Sequence, residues 1–333
     1  MSPHPVTSVD VARATGLSQA TVSRALNGGV VSAAARERVL AASRDLGYRP
    51  NDVARGLVTR RTGTVGVVVS DILNPFYPEF LEALGAALGA RGGRMLLQNA
   101  ASGGAEGEAT AIESLLRQRV DGIIVTAATD DSSAVRELVA SGFPVVLAHR
   151  TLPIAVDTVE SDNAGGAALM AELLHRRGHR TVGVLEGDPG TSTARQRGEG
   201  FAARARELGL TVQTTPAGFA ASTARVAADA MLSRGERPTA IVGHNDTIAL
   251  AALNAARELG LRVPRDVAVA GFDDIAAAGW AIVGLTTVRQ PTARMAQRAV
   301  DLLAGRIEDP SLPPRREVLP VELIERTSTG GAA

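Results

Sequence analysis

Between residues 62 and 326 short apolar runs alternate with longer amphipathic stretches, and this alternation limits the fold more than any other feature of the 333-residue chain. The runs read as strands at 65–69, 95–98, 122–126, 144–147, 181–185, 211–213, 240–243 and 267–271. Most spacers between them are long enough for a helix, as at 79–91, 110–119, 163–177 and 246–259. Strand, helix, strand in repetition is the pattern of right-handed crossovers, and therefore of parallel sheets covered on both faces. So many strands in one stretch fit two doubly wound lobes better than one large sheet. In such sheets ligands sit outside the carboxyl ends of the strands.

Composition supplies the core and removes several chemistries. Hydrophobic residues make up 45% of the chain and aromatic ones 3%, so Ala, Val and Leu must fill the interior. There is no cysteine, which excludes disulfides, thiolate zinc sites and cysteine nucleophiles. No apolar run reaches membrane-spanning length, and residues 1–10 lack the layout of a signal peptide, so a cytoplasmic location is expected. The net charge of zero hides an asymmetry. Nine Arg and four acids within residues 1–61 leave that segment at +5 and the remainder at −5. All 35 basic residues are Arg, on solvated faces as elsewhere, which reads mainly as codon bias. A basic module on an acidic body points to a polyanion partner at one end.

The basic segment reads as three short helices. Val9, Val11 and Ala12 give the first an apolar face that ends at Gly16; Ser18 caps the second, whose stripe is Val22, Ala25 and Leu26. Ser32 caps a third, with Val39, Ala42 and Leu46 at helical spacing before Gly47. Two helices joined by a Gly-containing turn form a helix-turn-helix, which places the second helix in the major groove of DNA. Its outward residues are Gln19, Ala20, Thr21, Ser23 and Arg24. Gln pairs with adenine, Arg with guanine, and Ser or Thr reaches phosphate. A small helical protein-interaction domain fits these residues as well, and the charge of the segment favours DNA.

The run from Val6 to Gly28, then Arg36 to Leu40 and Leu46 to Asn51, closely resembles the headpiece of the lactose/galactose repressor (LacI/GalR) family, and the resemblance covers nearly the whole chain. It implies a headpiece at 1–48, a hinge at 49–61, an effector-binding and dimerisation core at 62–326 and a flexible tail at 327–333. The core would split into lobe 1, about 62–161 plus 291–320, and lobe 2, about 162–290 plus 321–326. The implied DNA contacts are Thr7, Ser18, Gln19, Ala20, Thr21, Ser23, Arg24, Asn27, Asn51, Arg55 and Leu57. Residues 53–58 are too short for a stable isolated helix, and Gly56 weakens them further by about 1 kcal/mol relative to Ala. In the family this hinge folds on DNA and wedges a leucine, matched by Leu57, into the minor groove. The family more often has Ser where Gly56 stands, so this hinge is expected to fold less readily.

The residues that follow the strands suit a polyhydroxylated or planar polar ligand: aromatic faces, carboxylates, an amide and a guanidinium. The resemblance implies effector contacts at Phe76, Tyr77, Thr126, His149, Thr193, Arg197, Phe219, Asn245 and Asp273, with Arg197 as the clamp. One position departs from the family pattern. Where most relatives carry Asp, this chain has His149, which accepts one hydrogen bond instead of two. A plain neutral sugar is less favoured as a result.

Other motifs carry less. His175 and His179 stand four apart, but Gly178 should end the helix between them and no third metal ligand is near. The doublets Asp130-Asp131 and Asp273-Asp274 suit turns or ligand contacts better than acid–base pairs. No nucleophile elbow, P-loop or dinucleotide fingerprint occurs, so neither catalysis nor a cofactor is expected. The expectation is an effector-controlled repressor that binds a pseudo-palindromic operator as a homodimer, with a sugar or sugar derivative as ligand. A nucleobase or nucleoside corepressor, a sugar-binding receptor without a DNA role, and an enzyme on the same sheets are the rivals. The last residues offer no leucine heptad, which favours a dimer over a tetramer.

Overall fold

The computed structural model describes residues 6–26, 29–48, 61–100 and 104–330. It divides into two units, Met1–Thr62 and Gly63–Ala333. The first unit holds helices Ser8–Thr15, Gln19–Leu26 and Ala33–Asp45. Local chemistry sets their ends. The Thr7 amide and hydroxyl both donate to the Asp10 carboxylate, at 2.9 and 2.7 Å. Gly16 closes the first helix at φ +62°, in the left-handed region that glycine enters without strain. Ser18 Oγ accepts from the Thr21 amide at 3.1 Å and Ser32 Oγ from the Ala35 amide at 3.2 Å, so both serines cap as expected.

Val11, Val22, Ala25 and Val39 form the core of this unit. Two of the expected core residues are not in it: Val9 is 46% exposed and Leu46 38%. Thr15 and Ser43 are buried instead. Small side chains let three short helices approach closely, and Thr15 is tolerated inside because its hydroxyl donates to the Val11 carbonyl at 2.7 Å.

In the second unit each of the eight apolar runs forms a strand. Thr64–Val69 (β1), Arg94–Asn99 (β2), Gly122–Val125 (β3), Val145–Ala148 (β4), Asp157–Ser161 (β5) and Arg316–Leu319 (β11) make one parallel sheet, in the order β11-β5-β4-β3-β1-β2. Thr181–Glu186 (β6), Thr211–Pro216 (β7), Ala240–Gly243 (β8) and Ala268–Ala270 (β9) make a second, in the order β7-β6-β8-β9. Thr287–Arg289 (β10) and Glu322–Ile324 (β12) pair antiparallel beside it. Helices Phe76–Ala90 and Thr292–Glu308 cover one face of the first sheet, Gly104–Arg117 and Ser133–Ala140 the other. The second sheet lies between Asn163–Arg176 with Ser192–Glu207 and Ala221–Leu232 with Asp246–Glu258. Strand order reverses direction between β1 and β3 and between β6 and β8, so a topological switch point sits in each lobe.

The chain passes between the lobes three times, from β5 into helix Asn163–Arg176, from β10 into helix Thr292–Glu308, and from β11 to β12. Residues 327–330, expected as a flexible tail, are instead a docked 3-10 turn. Ser328 Oγ donates to the Val269 carbonyl at 2.6 Å and accepts the Thr286 amide at 2.8 Å, and Thr329 Oγ1 bonds Thr286 Oγ1 at 2.8 Å. The segment stays because it satisfies backbone groups that the short β9 leaves open.

Helices Asn163–Arg176 and Ser192–Glu207 touch backbone to backbone at Gly200. A Cβ there would stand 2.5 Å from the Ala164 carbonyl oxygen and 2.6 Å from its Cα. Gly200→Ala gains about 1 kcal/mol of helix propensity, but the clash is with main chain that cannot rotate away. The expected net result is a loss of about 1–3 kcal/mol, read as a lower urea midpoint. A raised midpoint would show that the two helices are not this close.

Candidate effector cleft and nucleic-acid interface

Arg197, in the second turn of helix Ser192–Glu207, is 4% exposed. Its Nε donates to Asn163 Oδ1 at 2.8 Å and its Nη1 to the His244 carbonyl at 2.5 Å. The guanidinium lies 3.7 Å from the centroid of the Phe272 ring, a cation–π contact. Nη2 is 3.3 Å from Asp273 Oδ1, close enough for charge attraction but outside hydrogen-bond geometry, so that donor remains unanswered. Asp273 adopts φ +123° and accepts Gln290 Nε2 at 2.7 Å; Gln290 Oε1 accepts the Ser161 hydroxyl at 2.8 Å. Ser161, Asn163 and Gln290 lie at two of the three passages between lobes, so Arg197 is tied to the segments that connect the lobes.

The first sheet contributes an aromatic wall. His149 follows β4 at φ +69°, and its ring stacks on Phe76 with centroids 4.3 Å apart. Tyr77 meets His149 edge-on, and its hydroxyl bonds Ser70 Oγ at 2.7 Å. Burial, with the charges of Arg197 and Arg150, holds His149 well below the usual imidazole range, against the opposing effect of a hydrogen bond that it donates to Gln290. It is therefore neutral, with Nδ1 unpartnered. Arg150 reaches across to the other lobe, 5.2 Å from the centroid of the Phe219 ring. Beside it the Thr151 amide donates to Ser192 Oγ at 2.9 Å and Arg195 pairs with Asp130 at 2.5 Å.

Of the nine expected effector residues, Phe76, Tyr77 and His149 thus form one cluster and Arg197 and Asp273 another, with the charge of Arg197 acting on His149 and Phe219 adjoining through Arg150. Thr193 is buried and bonded to Thr191 Oγ1 at 3.4 Å. Two are committed elsewhere. Thr126 has no exposed surface and donates to the Val68 carbonyl at 2.9 Å, inside the sheet. Asn245 caps helix Asp246–Glu258, its Oδ1 accepting the Ile248 amide at 2.9 Å. Arg150, His244 and Phe272 are among the residues that follow strands, but the resemblance did not single them out as effector contacts. Sequence reading had no signal for Gln290, Ser161 and Asn163, because the strands that precede them carry few apolar residues.

Electrostatics here are set by burial. His244 is pushed down to about 3 by desolvation and by Arg197. Asp273 is pushed up to about 6 by burial, which outweighs Arg197. Asp246, fully buried behind it, is raised by burial and by the charge of Asp273, and accepts from Thr287 Oγ1 and the Ile275 amide.

On the first unit Ser18, Gln19, Ala20, Ser23 and Arg24 are exposed along one helix face, with Thr21 half-buried and Thr7 exposed. Gln19 Nε2 reaches Ser8 Oγ at 3.1 Å and Arg24 Nε the Ala20 carbonyl at 3.3 Å. Asn27, Asn51, Arg55 and Leu57 lie outside the described residues. His175 and His179 fall on either side of the helix end, and His179 Nδ1 pairs with Thr239 Oγ1 at 2.9 Å. Asp274 is engaged by Arg289 and Arg326, both at 2.7 Å. Among the described residues no helix is long and apolar enough to cross a membrane.

Residues 8–51 match the model of bacterial regulatory proteins of the lacI family, and 171–329 match a periplasmic binding protein-like domain. The chain is 35% identical over 330 residues to the HTH-type transcriptional regulator CelR of Thermobifida fusca, covering 96% of each. It is 32% identical to the ribose operon repressor of Halalkalibacterium halodurans, over 97% of this chain and 96% of that one. Among solved structures, the Lac repressor dimer bound to operator and the anti-inducer ONPF superposes with a TM-score of 0.87 at 29% identity, covering 98% and 99%. A CelR–cellobiose complex superposes with a TM-score of 0.74 at 32% identity, over 97% and 99%.

The depressed pKa of His244 has a sign that can be checked. The unfolded chain takes up this proton below about pH 6.5, the folded chain only near 3, so stability is lost as pH falls through that window. Between pH 7 and pH 5 the loss is about 2 kcal/mol. His244→Gln is expected to reduce the pH 7 to pH 5 loss in unfolding free energy by that amount. An unchanged pH dependence would mean that His244 is accessible to protons.

Proposed function

The chain belongs to the LacI family of bacterial regulatory proteins, and on that premise we propose that it is an effector-responsive repressor acting as a homodimer on a pseudo-palindromic operator in the cytoplasm. The exposed Gln19, Ala20, Ser23 and Arg24 face supplies base and phosphate contacts, and two-fold symmetry of the protein is matched by the half-sites. Arg55 and Leu57 of the hinge, with Asn27 and Asn51, complete the DNA contacts. Binding in the core favours one arrangement of the lobes and so changes whether two hinges can pair; the ligand acts only through its different affinity for the two states.

The observation that carries the effector reading is the Arg197 fork, buried yet with one donor unanswered, beside an acceptor carboxylate and an aromatic wall. A hydroxyl group can accept from Nη2 while donating to Asp273, which makes a sugar or sugar derivative the first choice. The complex of CelR with cellobiose and the name of the ribose operon repressor agree with this choice. A nucleobase corepressor is the second reading: the stacked Phe76 and His149 rings offer a flat face, and relatives at 32% identity include purine-type repressors named PurR. Support for the dimer comes from exposed apolar residues on lobe 2, where Val226, Trp280 and Ile282 are 69%, 60% and 75% exposed.

Two measurements test this reading. A ligand at a hundred times its Kd stabilises by about 2.7 kcal/mol, so a thermal-shift panel of sugars, sugar phosphates and nucleobases should show a hit that Arg197→Ala abolishes. Retardation of operator DNA should weaken by orders of magnitude between about 50 and 200 mM salt and vanish when residues 1–61 are deleted; salt-independent binding would overturn the DNA reading. By sedimentation, Trp280→Glu should shift the dimer towards monomer without lowering the melting temperature of the core. A dimer unaffected by it would place the interface elsewhere.

A further inference from the structure

Lobe 2 carries a second opening, separate from the space around Arg197 and Asp273. It is a groove of about 380 Å³ between helix Ser192–Glu207 and the carboxyl ends of β6 and β7, within the size range of small-molecule sites. Its floor is Ala194, Gly198 and Ala202, four residues apart on one helix face, and Pro189 and Pro216 wall it. His244 closes the inner end. This residue is 5% exposed, and its Nε2 has no partner. Nδ1 accepts the Gly187 amide at 3.1 Å, so the ring proton of the neutral imidazole sits on Nε2. A Cβ on Gly198 would stand 3.4 Å from Cε1 and 3.7 Å from Nε2, so the imidazole lies directly beneath this glycine of the groove floor.

Two carboxylates line the same groove, Glu186 and Glu199, and no described residue forms an ion pair with either. Arg195, which also lines it, is held by Asp130 at 2.5 Å and by the Pro189 carbonyl at 3.0 Å. The chemistry selects its occupant. An anion is opposed by both glutamates. A metal ion finds no lone pair on an Nε2 that carries a proton. A simple amine satisfies the carboxylates and leaves the buried donor unmet. A sugar hydroxyl both donates and accepts, and a pyranose C–H face fits a floor of small residues between two prolines.

We propose that this groove is an accessory site for a neutral sugar unit, held by His244 Nε2–H, Glu186 and Glu199. The site is coupled to the effector cleft, because the carbonyl of His244 is the acceptor of Arg197 Nη1. A sugar that fixes His244 fixes one arm of the clamp, and by reciprocity the effector strengthens or weakens the accessory site by the same factor.

The test is a long-range ¹H–¹⁵N correlation spectrum of histidine-labelled full-length protein, titrated with D-glucose, D-galactose, D-xylose and D-ribose. Three further proteins are titrated: Asp273→Asn, which removes a cleft group that does not touch His244; Ala202→Trp, which fills the groove from an exposed position; and Glu199→Leu. The expected result is a saturating shift of the His244 Nε2 signal that survives Asp273→Asn, disappears in Ala202→Trp and weakens at least several-fold in Glu199→Leu, with all three folded by melting temperature. A shift lost in Asp273→Asn would assign the sugar to the cleft and overturn the proposal. So would a shift that persists in Ala202→Trp, or no shift with any of the four sugars. Failure of the effector reading is distinct, since that appears as a thermal-shift panel unaffected by Arg197→Ala.

Discussion

A guanidinium buried at 4% exposure is the constraint on which the core depends. Removing such a charge from water costs several kcal/mol unless its donors are met and a counter-charge is near. Here the counter-charge and the partners of all donors but Nη2 come from different parts of the fold. Asn163 supplies an oxygen from a passage between lobes, His244 a carbonyl from the end of β8, Phe272 a ring face and Asp273 the charge. These contacts form only when β8, β9 and the first interlobe passage are in register, so the interactions that permit the burial of Arg197 also fix its position.

The partial satisfaction of this centre is the feature on which the proposed effector site rests. Arg197 Nη2, His149 Nδ1 and Arg150 Nε are buried and unanswered together, whereas most buried polar groups in proteins are paired. Leaving such buried donors and acceptors unmet costs free energy, and under the proposed reading a ligand that answers them recovers it. Asn163, Ser161 and Gln290 form a hydrogen-bonded line from this centre through two passages between the lobes. Asp130–Arg195 and Thr151–Ser192 also bridge the two lobes.

Much of this was legible in sequence, and the parts that were not share a physical reason. Apolar runs marked eight strands because their faces are covered by helices. They failed for β5, whose residues Asp157, Thr158, Glu160 and Ser161 are all buried and polar. Asp157 lies inside because Arg306 pairs with it at 2.8 Å, and Glu160 because Arg316 does so at 2.7 Å. No local pattern announces an ion pair formed across 149 or 156 residues. Gln290 was hidden for the same cause, since its partners are Ser161 and Asp273. Among the expected site residues that follow strands, Thr126 donates its hydroxyl to the Val68 carbonyl and Asn245 uses its Oδ1 to cap a helix, local bonds that no sequence pattern announced.

The threefold passage between lobes also sets the order in which the protein can be made. The first sheet is not complete until β11 joins β5, and the second lobe lacks its β10–β12 ribbon until β12 is synthesised a few residues later. Neither lobe is a contiguous stretch of chain, so both close almost simultaneously, at the end of translation. The headpiece has no such dependence. Its core of Val11, Val22, Ala25 and Val39 is present once about a seventh of the polypeptide has emerged. On the ribosome the part that reads DNA is therefore finished long before the part that governs it, and control arrives with the last strand.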